Sequence, residues 1–412
     1  MKRIAIVGAG IVGVSTAIWL QRAGYEVILF DRAGAGNGAS YGNGGVLAQA
    51  NVLPVTLPGL LAQAPRLLLD PNQPLFLKWR NLPGLLPWLW RYVSHSRPKE
   101  VRRIAAALQP IIGTALTDHL SLAAGTGAER YIAPCDYVFL YQNRAKFDRD
   151  AFGWAIRREH GHHWQELSGP ELRDYEAAFA RGFGFAACLD GHGRIKDPGA
   201  YVKALAKHVE AKGGRIITAE VEDLARESGR VTGVRAGGEF MACDAVVIAA
   251  GAWSSVLTRK LGLDIPLQSE RGYHVELWEP NLMPRAAVMV AERKFVITPM
   301  DGRLRIAGAM EFGGLQAPPS RGPIAMLKQQ IREVMPGLRW KRETDWMGHR
   351  PAPTDSIPVI GAVPGVAGAW LGFGHHHVGM TGGPKTGRLL AQMISGQAPE
   401  IEMAPYAPQR QF

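Results

Sequence analysis

The chain has 412 residues, 47% of them hydrophobic and 20% charged, the composition of an ordinary globular protein of two or three domains. Lys and Arg number 47 against 36 Asp and Glu, a formal charge of +11, yet the basic residues are scattered and no nucleic-acid motif accompanies them. The composition therefore argues against nucleic-acid binding and predicts a solvated basic surface, suited to steering anionic substrates or meeting anionic lipid.

Cys135, Cys188 and Cys243 are far apart and lack CxxC spacing, which fits reduced thiols in a cytoplasmic protein rather than a disulfide framework or structural zinc. Met1-Lys2-Arg3 leads straight into a strand-like run, so the N-terminus is expected to belong to the fold and not to a leader. No apolar run reaches the length of about 18 residues that a spanning helix needs.

Residues 3–8 form a short apolar run suited to a strand buried on both faces. Gly8-Ala9-Gly10-Ile11-Val12-Gly13 follows as a GxGxxG, then an apolar-periodic helix from about Val14 to Ala23 with Gly24 at its C-terminal cap. A second strand, Glu26–Phe30, ends in Asp31, 18 residues after Gly13. Gly8 permits the turn, Gly10 admits a pyrophosphate, Gly13 allows helix–strand packing, and the helix N-terminus at Ile11 and Val12 faces the phosphate charge. Asp31, with Arg32 beside it, is placed to bind a ribose diol and disfavours a 2′-phosphate. Strand, loop, helix and acid together predict a dinucleotide site.

After Asp31 comes a long loop of small residues, Gly34 to Gly45, where a nicotinamide enzyme would continue with another helix and strand. Such a loop can run beside a large flat ligand. Here the sequence resembles the D-amino acid oxidase-like family of flavoproteins, in particular its D-amino acid dehydrogenase branch. Members carry a Ser-x-x-Asn-Gly-like segment against the flavin, which Ser40, Asn43, Gly44 and Gly45 match.

Prolines and tryptophans are dense from Pro54 to Pro98. The apolar stretch Leu82–Tyr92 is read as a helix packed inside a substrate domain, with an amphipathic, peripheral contact at the inner membrane face as the alternative. His162-His163 and His192 lack metal-ligand spacing, so no metal site is expected. A helix is expected from Pro198 to about Lys212, stopped by Gly213-Gly214, and strands at 215–221, 231–236 and 245–249, the last running into Ala250-Gly251-Ala252-Trp253. The resemblance implies that backbone near Val221 lies against adenine and that Ala250 and Gly251 close over the dinucleotide.

Residues 266–312 read as antiparallel strands with a hairpin signal at Asp301-Gly302. D-amino acid dehydrogenases carry a Gly-Tyr pair here, which makes Tyr273 the expected substrate-facing hydroxyl. Gly348-His349-Arg350-Pro351 through Asp355, Pro358 and Gly361 is similar to the signature of glycine oxidases and D-amino acid dehydrogenases. A substrate carboxylate held in one orientation calls for a guanidinium fork, and Arg350 is the expected anchor. The alternative is a structural ion pair, with Asp355 as candidate partner. Gly379, Met380 and Thr381 are then expected just before a helix at about Pro384–Ile394, facing the flavin pyrimidine. Residues 340–361 lack the cysteine through which sarcosine-oxidase relatives attach their flavin, so non-covalent FAD follows from the comparison.

The expected architecture is α/β: a discontinuous Rossmann-like FAD-binding domain (1–85, 186–265 and 340–412) with an inserted α+β substrate domain (86–185 and 266–339) containing an antiparallel sheet. The resemblance implies a small amino acid as substrate and a respiratory-chain or other electron acceptor. The closest alternative is an oxygen-using oxidase of glycine, sarcosine or a cyclic imino acid. A non-catalytic flavin-binding partner protein is a third reading.

Overall fold

The computed structural model describes residues 1–60, 74–179 and 182–412, so part of the proline-rich stretch noted above lies outside the described residues. Its N-terminal strand, Arg3–Val7, lies at the middle of a six-stranded sheet in the order Arg215–Ile217, Glu26–Phe30, Arg3–Val7, Ala245–Ile248, Ala369–Phe373, Val359–Ala362. All neighbours are parallel except the last pair. The apolar strands are buried on both faces, as the continuous hydrophobic runs predict.

Helix Ile11–Arg22 begins at the glycine loop, three residues earlier than expected. It ends in a Schellman motif: Gly24 adopts φ +85°, its N–H donates to Gln21 and that of Tyr25 donates to Leu20. The helix crosses Gly379–Ile394 at glycines, because a Cβ on Gly387 would sit 2.6 Å from the Ser15 backbone.

The expected strand at 215–221 is two. Arg215–Ile217 closes the edge of the parallel sheet, and Val221 opens Val221–Glu227 in a separate antiparallel sheet with Arg230–Ala236 and Glu239–Ala242. Asp197 caps helix Pro198–Ala211 through the Ala200 N–H.

The second large unit is a nine-stranded mixed sheet. Its long strand Leu267–Trp278 pairs antiparallel with Arg342–Pro353 on one side and Arg303–Phe312 on the other. The Asp301-Gly302 turn closes the hairpin between Phe295–Met300 and Arg303–Phe312. Leu75–Leu77, Phe185–Leu189 and Arg342–Pro353 lie almost wholly in the segments expected for the FAD-binding part, yet they hydrogen-bond into this sheet. Helix Leu82–Ser94 buries Leu85, Trp88 and Tyr92 against Phe312 and Ala352. Its other face leaves Leu86 and Trp90 exposed near Trp79, so the reading of a helix packed inside the domain covers only half of it.

Among the described residues no helix is long and apolar enough to cross a membrane.

Candidate active site

The glycine loop is built as its spacing demands. Gly8 has φ +106°, and a Cβ there would lie 2.3 Å from the Ala249 carbonyl oxygen; a Cβ on Gly13 would lie 1.9 Å from the Gly8 oxygen. Only glycine fits either place. Asp31 ties the loop down, accepting the Ala9 N–H at 2.9 Å through Oδ2 and the Ala33 N–H through Oδ1. Ser40 Oγ accepts the Ile11 N–H at 2.9 Å, so its hydroxyl hydrogen is free to be given to an anion at the same helix terminus.

These groups open onto one cavity of about 1610 Å³. Every residue expected to hold the cofactor lines it except Gly13 and Gly45, which serve packing: Gly13 against Gly8, and Gly45, at φ +77°, against Met300 and the Ile195 carbonyl. Arg32 lies 3.6 Å over the Trp253 ring, closing one end of the cavity. Gly10 and Gly44 leave room only for a backbone approach, since a Cβ would meet Ser40 Oγ at 3.1 Å and Val296 at 3.2 Å. A cradle of bare backbone, a helix N-terminus and a carboxylate beside them fit a dinucleotide such as FAD. None of the three cysteines lines the cavity.

A buried ionic group that sequence reasoning missed holds the small-residue loop after Asp31. Arg305, fully buried, donates to the carbonyls of Tyr41 at 2.9 Å and Asn43 at 2.5 Å. Glu276 sits between Arg305 and Arg303, accepting from each at 2.6 Å, and Arg303 also reaches Asp197. Burial pushes the Glu276 carboxyl up, but Arg305 and Arg303 outweigh it and hold the group at about 2. Polar residues at alternate positions of a buried strand, Glu270, His274 and Glu276, were the available signal.

Arg350 stands directly across from Glu270 in the paired strands, with Nη1 2.7 Å from Oε1. The guanidinium lies flat on the next position, Gly272, where a Cβ would be 2.5 Å from Nη2. Its side chain is 27% exposed while that of Glu270 is 1% exposed; both border the cavity, and the fork is the more open of the two. The far oxygen of Glu270 accepts from His376 Nε2 at 2.6 Å. Burial raises the Glu270 carboxyl, and its contacts with His376 and then Arg350 reverse this and bring it to about 2. The partner proposed from sequence, Asp355, is instead bound to Arg410 at 2.8 Å.

Tyr273, one residue beyond Gly272, also borders the cavity, but its hydroxyl is engaged within the sheet: it donates to Glu311 at 2.7 Å and accepts the Ser320 N–H. The phenol on the Arg350 side is Tyr92, whose ring centroid lies 6.2 Å from that of His376 and whose hydroxyl has no hydrogen-bond partner among the described residues.

The C-terminal helix starts at Gly379, not near Pro384, so Gly379, Met380 and Thr381 form its first turn at the cavity wall. Pro384 therefore lies inside the helix and cannot donate to the Met380 carbonyl. His119 does so instead, with Nε2 2.8 Å from that oxygen and Nδ1 accepting from Tyr201 at 2.8 Å. Burial lowers His119 to about 4, which keeps it neutral for this task. His375 Nε2 donates to Thr386 Oγ1, which passes its own hydrogen to Gly382. His375 and His376 thus go to separate partners, Thr386 and Glu270. Among the described residues no group of three or more His, Cys, Asp or Glu is placed to hold a metal ion.

The comparison that decides the family follows from this geometry. The sequence model described as FAD dependent oxidoreductase, DAO, matches residues 3–393. The chain belongs to that family. It is 37% identical over 416 residues to a "D-amino-acid oxidase" of Bradyrhizobium diazoefficiens, with 99% of each chain covered. It is 32% identical over 430 residues to a "D-amino acid dehydrogenase 2" of Ralstonia nicotianae, covering 98% of this chain and 99% of the relative. Among solved structures, glycine oxidase from Geobacillus kaustophilus superposes with a TM-score of 0.79 over 100% of both chains at 21% identity, a likeness of fold. The DAO family member described here is an FAD-dependent oxidoreductase, and its doubly covered parallel sheet with the mixed sheet beside it is the family's α/β fold.

Proposed function

We propose that this protein oxidatively deaminates a D-amino acid, with one water consumed, to the 2-oxo acid and ammonia, and that the two electrons, which bound FAD would take up from the α-carbon as hydride, pass to an acceptor other than oxygen. The observation that carries the reading is the exposed Arg350 fork, braced from behind by Glu270 and opening onto the same cavity as the glycine cradle. An arginine held in this way binds a carboxylate by two parallel charge-assisted hydrogen bonds and fixes its orientation. Non-covalently bound FAD supplies the two-electron chemistry. The chain's own part is to seat the substrate on Arg350, exclude water with the wall of helix Leu82–Ser94, and hold Gly379, Met380 and Thr381 as a helix N-terminus toward developing negative charge. The names of the Bradyrhizobium and Ralstonia relatives support the substrate class.

A second reading, an oxidase that uses oxygen, is favoured by the higher identity to the relative named oxidase, 37% against 32%. The alternative of a peripheral membrane contact is supported by exposed Trp79, Leu86 and Trp90, which all line the mouth of the cavity.

Anaerobic mixing with D-amino acids tests the first statement: the flavin band is expected to bleach, and a band that stays unchanged with every D-amino acid refutes it. Admitting air then separates the acceptors, since prompt reoxidation with peroxide marks the oxidase.

A further inference from the structure

We infer that the cavity holds a second site, remote from Arg350, for a small organic carboxylate, built on the buried guanidinium of Arg157 and the phenol of Tyr137.

Arg157 stands on helix Ala151–Glu159, is 6% exposed and lines the cavity. Its Nε donates to the Ala50 carbonyl at 3.2 Å, and the other N–H groups of the fork have no acceptor among the described residues. The comparably buried arginines are all paired: Arg271 with Glu311, and Arg303 and Arg305 with Glu276. Arg157 alone among them forms no ion pair with a described residue. Asp150, which also lines this end, is engaged by the Tyr141 hydroxyl at 2.9 Å. Burial lowers the pKa of the Arg157 guanidinium, and Tyr141, Tyr137 and Asp150 offset this only in part.

The surroundings are built to aim the fork. Its central carbon lies 4.8 Å from the ring centre of Phe139 and 4.6 Å from that of Trp154, contacts that hold a guanidinium in place. Tyr137, 3% exposed and also in the cavity wall, has a hydroxyl without a partner among the described residues. Burial raises the pKa of that phenol while the Arg157 charge works against the rise, so the two groups share one field. Arg149 and Lys294, both exposed, bring further positive charge to this end of the cavity.

The register of the mixed sheet separates this place from the first anchor. Phe139 pairs with Met289, Met289 with Val296, Val296 with Ala307, Ala307 with His274 and His274 with Trp346. Phe139 is thus five strands from the strand that carries Arg350, roughly 24 Å along the sheet. Gly44 of the small-residue loop crosses between them, over Val296 and Ala307. One small amino acid cannot span both ends. A buried cation without a counter-charge is costly, and a carboxylate supplies one by taking two parallel bonds from the fork and a third from the phenol. The aromatic rings around the fork suit a ligand with a flat apolar body over a bare inorganic anion.

The test titrates the FAD-loaded enzyme with benzoate by calorimetry and locates para-bromobenzoate in crystals by its bromine signal. Neither measurement needs turnover, so the outcome is independent of the deamination reading. A bromine peak is expected beside Arg157 and Tyr137. Arg157→Met should weaken benzoate at that site at least ~30-fold, while Arg350→Ala leaves it within about twofold. Tyr137→Phe removes only the hydroxyl, so it should keep the parent's melting temperature while weakening the same site about tenfold. This variant decides the matter if Arg157→Met does not fold. No bromine peak at Arg157, or benzoate binding there that Tyr137→Phe leaves unchanged, overturns the inference.

Discussion

Glu270 and Arg350 face each other across paired strands, 2.7 Å apart, 80 residues apart in sequence, with the carboxylate buried and the guanidinium partly open. The buried member aims the open one. Arg350→Ala should therefore lower kcat/KM for D-amino acids by about 30-fold or more, since truncating one partner of a buried charge pair costs about 2–5 kcal/mol. Arg350→Lys keeps charge but loses the planar fork and should fall between. Anaerobic stopped-flow reduction of the flavin measures both. Near-normal rates in the alanine variant would remove the anchor role.

Tyr273→Phe should leave KM within about twofold of the parent, because the hydroxyl it removes serves Glu311 and Ser320. Stability should drop by about 1–2 kcal/mol as the Glu311 carboxylate loses a donor. Steady-state kinetics and urea unfolding on the same preparations read the two effects separately.

Acid should weaken the fold in a defined window. Glu270 and Glu276 both sit at about 2 when folded, below the ordinary glutamate value of 4.5. A depressed folded value means that their contribution is complete above pH 4.5 and is lost as pH falls toward 2. Urea midpoints at a series of pH values across that range should decline, and Glu276→Gln should flatten the decline while lowering the midpoint at pH 7. A parallel slope in the variant would contradict the assignment.

His119 and Pro384 should couple. The imidazole takes the Met380 carbonyl that a proline at 384 cannot serve. His119→Leu is expected to cost about 2–3 kcal/mol by orphaning that carbonyl and the Tyr201 hydroxyl. In a Pro384→Ala background the backbone N–H returns, and the cost of the same change should shrink by about 1 kcal/mol. Additive thermal shifts in the double-mutant cycle would disprove the link.

What could be read before folding was what local chemistry decides. The GxGxxG with its flanking strands, Asp31, the helix opening at Pro198 and the Asp301-Gly302 hairpin depend on neighbours in sequence, and they lie where spacing puts them. Arg350 was legible as a fork, but its true partner needed the register of two strands. Tyr273 was legible as a strand residue, while the partners of its hydroxyl, Glu311 and Ser320, depend on which strands flank it. Pro384 suggested a helix start because a proline is tolerated in a first turn, and the compensation by His119 comes from 265 residues upstream. Arg305 and Glu276 look like surface charge until the sheet buries them together.

Strands Leu267–Trp278 and Arg303–Phe312 keep two buried charge groups apart. Glu276 and Arg305 hold the small-residue loop at one end, while Glu270 braces Arg350 at the other, six residues or about 20 Å away. Each group has its own partners, so substitutions around one can accumulate without loosening the other. A sheet divided in this way can be remodelled at one end while the other keeps its shape.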